Sequence, residues 1–219
     1  MFCYDDSVVF GKSYFEKVFE RQSPWSYVAS TYEKGKYERQ LQAIRDYAPE
    51  PRDILEIGCA EGDYTAMLAR AFPESQILGV DISRTALERA ERNCRSYPNV
   101  SFMEMDIIQT LRRDELPRQA FSVIIQSESL YYLFPALVLR RYVGGYFRDL
   151  AGHASEGAIF LTCNGINAVT RLVMECYYRA LKRHSRQLHR AGYREWNDYR
   201  RRFTGYDMRV FRFTPEERR

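Results

Sequence analysis

The segment from Ile54 to Gly62 constrains the fold of this chain more than any other, and it reads I-L-E-I-G-C-A-E-G. An apolar run that ends in an acid and two glycines is typical of a strand that leads into a nucleotide-binding turn and a helix. The glycine at position 58 permits a tight turn, and Gly62 permits close approach of ligand and helix. Asp81 follows 19 residues after Gly62, at the end of the apolar run 77–80, where an acid can hold a ribose.

The charges at this turn favour a ligand without phosphates. A dinucleotide site would need G-x-G-x-x-G to hold a pyrophosphate, whereas this turn carries Glu56 and Glu61. Two carboxylates would repel phosphate groups. They suit a ligand that has a cationic amino group, such as S-adenosylmethionine (SAM).

Residues 56–62 resemble the first motif of class I SAM-dependent methyltransferases, acid-x-Gly-x-Gly-x-Gly, with Ala60 in place of the central glycine. The resemblance implies that Asp81 hydrogen-bonds both ribose hydroxyls. It also implies that Asp106, after an apolar run at 100–103, accepts a hydrogen bond from the adenine amino group. It also implies an α/β, Rossmann-like fold. That fold has a mostly parallel seven-stranded sheet, a C-terminal antiparallel hairpin and an N-terminal helical lid, and S-adenosylhomocysteine would be the product.

Two flanking segments, 23–33 and 127–133, resemble the nodulation protein S group, whose members N-methylate an amino sugar in chito-oligosaccharide signals. This likeness runs from about Trp25 to Leu133. It implies that the N-terminal segment folds over the cofactor, with Lys36 opposite the cofactor's carboxylate. The cofactor contacts expected from the two resemblances are Trp25, Tyr32, Lys36, Glu56, Gly58, Cys59, Ala60, Gly62, Asp81, Ile82, Asp106, Ile107 and Ser127.

Glu128 and Tyr131 are the candidate catalytic residues. Glu128 follows the fourth predicted strand, where an acceptor should sit, and a carboxylate there can accept a hydrogen bond from an incoming amine and take its proton. The alternative is that Glu128 binds cofactor or orders the loop. Tyr131 and Tyr132 are adjacent, so on a helix they would point roughly 100° apart, and we expect only one to face the site.

The pattern of apolar residues predicts one alternating α/β domain over 1–219, with a helical cap at 1–48 and a core at 52–219. Helices are expected near 13–21 and 33–47, and strands near 53–58, 76–81, 100–105, 120–126 and 158–163. A helical insertion is predicted at 164–190, with a long helix from Ala168 to Arg190. A hairpin is then expected from 195–203 and 206–213, with its turn at Thr204 and Gly205.

Composition excludes several classes of function. The five cysteines are odd in number and never in C-x-x-C spacing, so neither a disulfide framework nor a metal site is expected. No run approaches the ~20 apolar residues that span a bilayer, and the acidic N-terminus is unlike a secretory signal. We therefore expect a cytoplasmic protein without a membrane partner.

The formal charge of +4 comes mostly from the C-terminal third. Its basic residues can form a solvated face, or they can attract a polyanion or an acidic substrate. A pocket lined by Arg171, Arg179 or Lys182 would favour an acidic acceptor. No other feature indicates a nucleic-acid partner.

The sequence thus predicts a SAM-dependent methyltransferase that acts on a small molecule. N-methylation of an amino sugar or related amine, in secondary-metabolite or signal-oligosaccharide biosynthesis, is the first hypothesis. O-methylation of a hydroxyl or carboxylate is the second. A non-catalytic protein that binds SAM or S-adenosylhomocysteine and contacts a polyanion is the alternative from another class. The acceptor, the number of methyl groups added and the oligomeric state stay open.

Overall fold

A computed structural model describes residues 10–24, 30–133, 141–198 and 200–214. Its seven strands form one sheet in the order β3-β2-β1-β4-β5-β7-β6. The strands are β1 (Asp53–Ile57), β2 (Gln76–Asp81), β3 (Val100–Glu104), β4 (Phe121–Ser127), β5 (Ala154–Ile166), β6 (Ser185–Asn197) and β7 (Arg202–Phe213). The first five strands are parallel to one another, and β7 runs antiparallel to both β5 and β6. This is the Rossmann-like architecture with a C-terminal antiparallel hairpin that the sequence predicts.

Helices connect the strands and cover the sheet. They are α1 (Lys12–Phe19), α2 (Thr31–Tyr47), α3 (Asp63–Ala71), α4 (Arg84–Asn93), α5 (Ile107–Arg113), α6 (Val143–His153) and α7 (Ala168–Leu181), with a 3₁₀ turn at Leu130–Leu133. Several helices have an N-cap residue whose side chain accepts a hydrogen bond from a backbone N–H of the first turn. These N-caps are Ser30, Ser83, Asp106 and Asn167. No helix within the described ranges is long and apolar enough to cross a membrane.

Both faces of the sheet are buried, because successive strand residues point to opposite sides. Ile54 packs into a cluster with residues of α2 and α3, whereas its neighbour Leu55 packs into a second cluster with residues of α5, α6 and α7. Near-continuous apolar runs such as 54–57 and 123–125 follow from this double burial.

The order of the strands fixes where a ligand can bind. The chain winds from β1 through β2 to β3 on one side of the sheet, and then returns to place β4 against β1. In open parallel sheets, a crevice forms outside the carboxyl ends of the strands at such a reversal. The segment at 58–62 and the loop that begins at Glu128 follow the two strands at this point.

The expected helix from Ala168 to Arg190 was wrong beyond Leu181. The chain enters β6 at Ser185, and the two strands of the hairpin are joined between Asn197 and Arg202 rather than at Thr204 and Gly205. A register shift between Gln187 and His189 interrupts the two-residue period of β6, and such a bulge hides a strand from pattern analysis.

Candidate active site

A cavity of about 390 Å³ lies at the carboxyl edge of the sheet. Its walls come from the ends of the parallel strands, from α1 and α2, from the loop after β4 and from the turn of the hairpin. Ten of the predicted site residues line it: Tyr32, Gly58, Ala60, Asp81, Ile82, Asp106, Ile107, Ser127, Glu128 and Tyr131. Among the described residues of the wall, Lys36, Glu56, Cys59 and Gly62 do not appear, and Trp25 lies outside the described residues.

The turn after β1 has the backbone that its glycines predict. Gly58 and Gly62 have φ of 78° and 81°, values that L side chains rarely adopt. A Cβ at Gly58 would lie 2.7 Å from Ser129 Cβ, so glycine also permits the close approach of the loop after β4. Ala60 has φ of 49°. The substitution of the central glycine therefore places an alanine in the left-handed region, at a cost of about 1–2 kcal/mol.

Asp81 faces the cavity from the end of β2. Its Oδ2 accepts a hydrogen bond from Ala60 N at 3.0 Å, and its Oδ1 accepts one from Ser83 N at 3.0 Å. Burial raises the pKa of Asp81, although the backbone hydrogen bonds from Ser83 and Ala60 oppose that rise. A carboxylate oxygen has two lone pairs, so each oxygen retains capacity for a ligand hydroxyl.

Asp106 lies one strand further along, just after β3. Its Oδ1 accepts from Ile108 N and Gln109 N, and its Oδ2 accepts from Gln109 Nε2 at 3.0 Å. These bonds fix the carboxylate at the start of α5. The isoleucines that adjoin the two acids, Ile82 and Ile107, also line the cavity. An apolar wall between two fixed carboxylates fits an adenosine, with hydroxyls at one acid and an amino group at the other.

The charge argument made from Glu56 and Glu61 does not hold in the structure. Glu61 Oε1 forms an ion pair with Arg89 Nη1 at 2.7 Å. Glu56 is buried and accepts from Thr65 Oγ1 at 2.6 Å. Burial raises the pKa of Glu56 to about 8, so this group is mostly protonated at pH 7. The fit to adenosine therefore depends on Asp81 and Asp106 and not on repulsion at the turn.

Lys36 lies behind the cavity wall, between two carboxylates. Its Nζ is 2.5 Å from Glu33 Oε2 and 2.7 Å from Glu128 Oε1, and its side chain is 1% exposed. Burial would lower the pKa of Lys36, but Glu128 and Glu33 outweigh it and raise that pKa. Lys36 is thus paired within the protein, and its expected contact with the cofactor's carboxylate stays a prediction. We call the residues Glu33, Lys36 and Glu128 the carboxylate cluster.

Glu128 is held by three donors. Besides Lys36, its carboxylate accepts hydrogen bonds from Gly165 N and from the Tyr131 hydroxyl, each at 3.0 Å. Burial would raise the pKa of Glu128, but Lys36 and the two hydrogen bonds lower it overall. Glu128 also has φ of 53°, and strained backbone of this kind concentrates at functional sites. The carboxylate is thus fixed and ionised at neutral pH.

Glu33 is a cavity residue that the sequence analysis missed. It lies three residues after Ser30, whose side chain accepts from Glu33 N, so the sequence S-T-Y-E reads as an ordinary helix start. In the structure, Glu33 is buried and lines the cavity. Burial raises the pKa of Glu33, while Lys36 opposes that rise. A carboxylate with a raised pKa is a better proton acceptor than Glu128.

Aromatic side chains of α1, of the residues just before it and of the 3₁₀ turn close another part of the cavity. The ring of Tyr132 makes edge-to-face contacts with Phe10 and Phe15, at centroid distances of 5.2 and 5.3 Å. Tyr131 and Tyr132 both line the cavity, so the expectation that only one faces the site was wrong. The 3₁₀ turn is short and lies along the wall, which lets neighbouring rings contribute to one surface.

Polar contacts fix α1 across the cavity. Glu16 Oε1 accepts from Arg84 N at 2.7 Å, at the start of α4, where a carboxylate is stabilised by the helix dipole. Arg89 Nη2 in turn donates to Phe19 O at 2.6 Å, at the end of α1. The middle and the C-terminal end of α1 are therefore joined to α4, and Phe19 lies on the cavity wall.

Comparisons with known proteins agree with this fold. A family model described as a methyltransferase domain matches residues 54–151. Nodulation protein S of Rhizobium tropici is 31% identical over 138 residues, which cover 62% of this chain and 54% of that protein. Malonyl-acyl-carrier protein O-methyltransferase of Halalkalibacterium halodurans is 38% identical over 89 residues, or 41% and 32% of the two chains. The chain thus spans between about a third and about half of the length of these relatives.

Solved structures share the fold over a greater length. The N-methyltransferase NodS from Bradyrhizobium japonicum WM9, in complex with S-adenosylhomocysteine, superposes with a TM-score of 0.74 at 18% identity. The alignment covers 93% of this chain and 98% of NodS. The strand order is that of the Rossmann-like methyltransferase fold. The chain is similar to methyltransferase domains over residues 54–151, and it is similar to nodulation protein S over a longer stretch.

Proposed function

We propose that this protein transfers a methyl group from SAM to the nitrogen of a small-molecule amine, an amino sugar or related compound in secondary-metabolite or signal-oligosaccharide biosynthesis. The observation that carries the proposal is that one cavity holds two kinds of site. Asp81 and Asp106 lie at neighbouring strand ends, and the carboxylate cluster lies at the end of β4 and on α2. The first fits an adenosine, and the second fits a cationic amine.

The strand ends would hold the cofactor. Asp81 would accept hydrogen bonds from both ribose hydroxyls through its remaining lone pairs. Asp106 would accept from an adenine amino group, and Ile82 and Ile107 would lie beside the purine. The turn at Gly58 and Ala60 would contact the amino-acid part of the ligand. When bound, SAM supplies a sulfonium methyl group that is already activated, so the protein must position the acceptor and exclude water.

The carboxylate cluster would orient the acceptor and take its proton. Two carboxylates and one lysine leave a net negative charge, which attracts an ammonium group. Glu128, ionised and fixed by Tyr131, would accept a hydrogen bond from the amine. Glu33, whose pKa is raised by burial, would remove the proton that blocks the nitrogen lone pair. The aromatic rings of Phe15, Phe19 and Tyr132 would keep water from the reacting atoms.

O-methylation is a second candidate, because one relative is named an O-methyltransferase. A hydroxyl acceptor needs a stronger general base than an amine does. No histidine appears in the part of the cavity wall that the structure describes, and the pKa of Glu128 is lowered. These features favour an amine over a hydroxyl.

Substitution of Asp81 tests cofactor binding and transfer together. We expect Asp81→Ala to weaken the affinity for S-adenosylhomocysteine at least tenfold and to abolish methyl transfer, since it removes the acceptor for the ribose hydroxyls. Asp46→Ala is the matched control, because Asp46 is exposed on α2 and its loss changes the charge equally. Unchanged cofactor affinity in Asp81→Ala would overturn the assignment. If the protein is instead a non-catalytic binder with a basic surface, Asp81→Ala should keep its affinity for a polyanion.

A second substitution tests the role of Glu128. Glu128→Gln keeps the size of the side chain and removes its charge, so we expect kcat to fall at saturating acceptor while cofactor affinity is kept. An unchanged kcat under those conditions would remove Glu128 from the mechanism.

A further inference from the structure

The hairpin brings a basic wall to the cavity. Arg200, Arg202 and Thr204 all line it. Arg202 and Thr204 are two residues apart on β7, so they share one face of the strand. Asn197, opposite Arg202 in the register of the hairpin, accepts Arg200 N through Oδ1 at 2.8 Å. The fold therefore places two guanidinium groups and a hydroxyl group at one end of the cavity.

These groups lack protein partners among the described residues. Two arginines that contact the hairpin are paired, Arg209 with Asp207 and Arg39 with Glu195. Neither Arg200 nor Arg202 forms an ion pair within the described ranges, and Thr204 Oγ1 is buried there without a hydrogen-bond partner. Guanidinium and hydroxyl groups together are the donors that carboxylate, sulfate and phosphate oxygens accept from.

Arg200 acts electrostatically on the carboxylate cluster. Burial raises the pKa of Glu33, and the positive charge of Arg200 is among the influences that oppose this rise. The same charge opposes the rise in the pKa of Tyr132 that burial causes. The guanidinium is thus within electrostatic range of the groups that would face the reacting nitrogen, and Arg200, Glu33 and Glu128 line the same cavity.

We propose that the acceptor carries an anionic group in addition to its amine, and that Arg200, Arg202 and Thr204 bind this anionic group while the carboxylate cluster binds the amine. The inference rests on the proposed function and names its substrate class. It also corrects the expected source of a basic pocket, because Arg171, Arg179 and Lys182 are not among the described residues of the cavity wall.

Calorimetry on protein saturated with S-adenosylhomocysteine tests the proposal without turnover. The probes are glucosamine, glucosamine 6-phosphate and glucosamine 6-sulfate at fixed ionic strength. We expect both charged sugars to bind roughly tenfold or more tightly than glucosamine, since hydrogen bonds to charged groups are the strong ones. The double variant Arg200→Gln/Arg202→Gln should bind all three sugars about equally.

Arg201→Gln is the matched control, because Arg201 lies in the same turn and does not line the described cavity wall. It removes one positive charge and should keep the preference for the charged sugars. Equal binding of charged and uncharged sugars by the unaltered protein would overturn the proposal, as would an equal loss in Arg201→Gln. So would a parallel loss of S-adenosylhomocysteine affinity in the double variant, which would assign the arginines to the cofactor's carboxylate.

The same probes separate this inference from the proposed function. Tight binding of a charged sugar without transfer of labelled methyl from SAM would support the anion site and contradict the proposed methyltransferase activity. Transfer to glucosamine and to its 6-phosphate with equal kcat/KM would keep the transferase and remove the anion site.

Discussion

Replacement of Lys36 by methionine should be among the most destabilising single changes near the site. Each of its two carboxylate contacts, at 2.5 and 2.7 Å, corresponds to about 6 kcal/mol of attraction at an effective dielectric constant of about 20. This attraction is offset by the cost of removing the three ions from water, which is several kcal/mol for each ion. Loss of one partner from a buried ion pair costs about 3–5 kcal/mol, because the remaining charge stays buried. We expect a loss of that size in the free energy of unfolding at pH 7.

Protonation sets how this cost varies with pH. A carboxyl group with an ordinary pKa of 4.5 must be protonated to remain buried without Lys36, which costs about 3 kcal/mol at pH 7 and below about 1 kcal/mol at pH 5. Without Lys36, the folded-state pKa values of Glu33 and Glu128 rise. The stability deficit of the variant should therefore shrink by about 2 kcal/mol when the pH falls from 7 to 5.

Urea unfolding followed by circular dichroism, at pH 5 and pH 7, measures both effects. Lys34→Met is the control, because Lys34 is an exposed lysine on the same helix and should change stability by less than about 0.5 kcal/mol. The double variant Lys36→Met/Glu128→Gln should lose less than the sum of the two single variants. A deficit below about 1 kcal/mol at pH 7, or one that does not depend on pH, would refute the account of the cluster.

Three further predictions follow from the buried acids and the turn. The pKa of Glu56 is raised from 4.5 to about 8, so its ionisation destabilises the fold as the pH rises from 4.5 to about 8. Over that range Glu56→Gln should gain up to about 1.4 kcal/mol of stability per pH unit relative to the unaltered protein. A stability difference between the two proteins that does not change with pH in urea unfolding would contradict this. Gly58→Ala should destabilise the protein by more than about 1 kcal/mol and weaken S-adenosylhomocysteine binding. Ala60→Gly should instead keep that binding, with a stability change within about 1 kcal/mol. Calorimetry measures the binding and thermal melting the stability, and equal effects of Gly58→Ala and Ala60→Gly would contradict both predictions. Glu33→Gln should lower kcat about 10²-fold and remove the acidic limb of the pH–rate profile, whereas an unchanged profile would exclude Glu33 as the base.

The cofactor half of the candidate site could be predicted because it depends on local sequence. Asp81 and Asp106 each follow an apolar run, and parallel strands bring their carboxyl ends to one edge. The position of such acids is fixed once the strands are recognised. The glycines at 58 and 62 were predictable for the same reason, since their backbone conformations belong to one short turn.

The acceptor half could not be predicted in the same way, because it depends on tertiary packing. Lys36 reaches Glu128 across 92 positions of sequence, and no local pattern shows that a helix on one side of the sheet will meet a loop after β4. Arg200 and Arg202 lie at the cavity because β6 extends to Asn197 and β7 begins at Arg202. Because the bulge made β6 hard to recognise from the sequence, the basic residues that follow this strand could not be placed at the cavity.

Transfer of labelled methyl from SAM to glucosamine and to N-acetylglucosamine tests the central claim most directly. The two sugars, presented alone and as their 6-phosphates, differ in each pair only by an acetyl group, which removes the amine nucleophile and leaves every hydroxyl. We predict incorporation into the amines and none into their acetylated counterparts. Equal incorporation into both members of a pair would contradict N-methylation and make a hydroxyl the target.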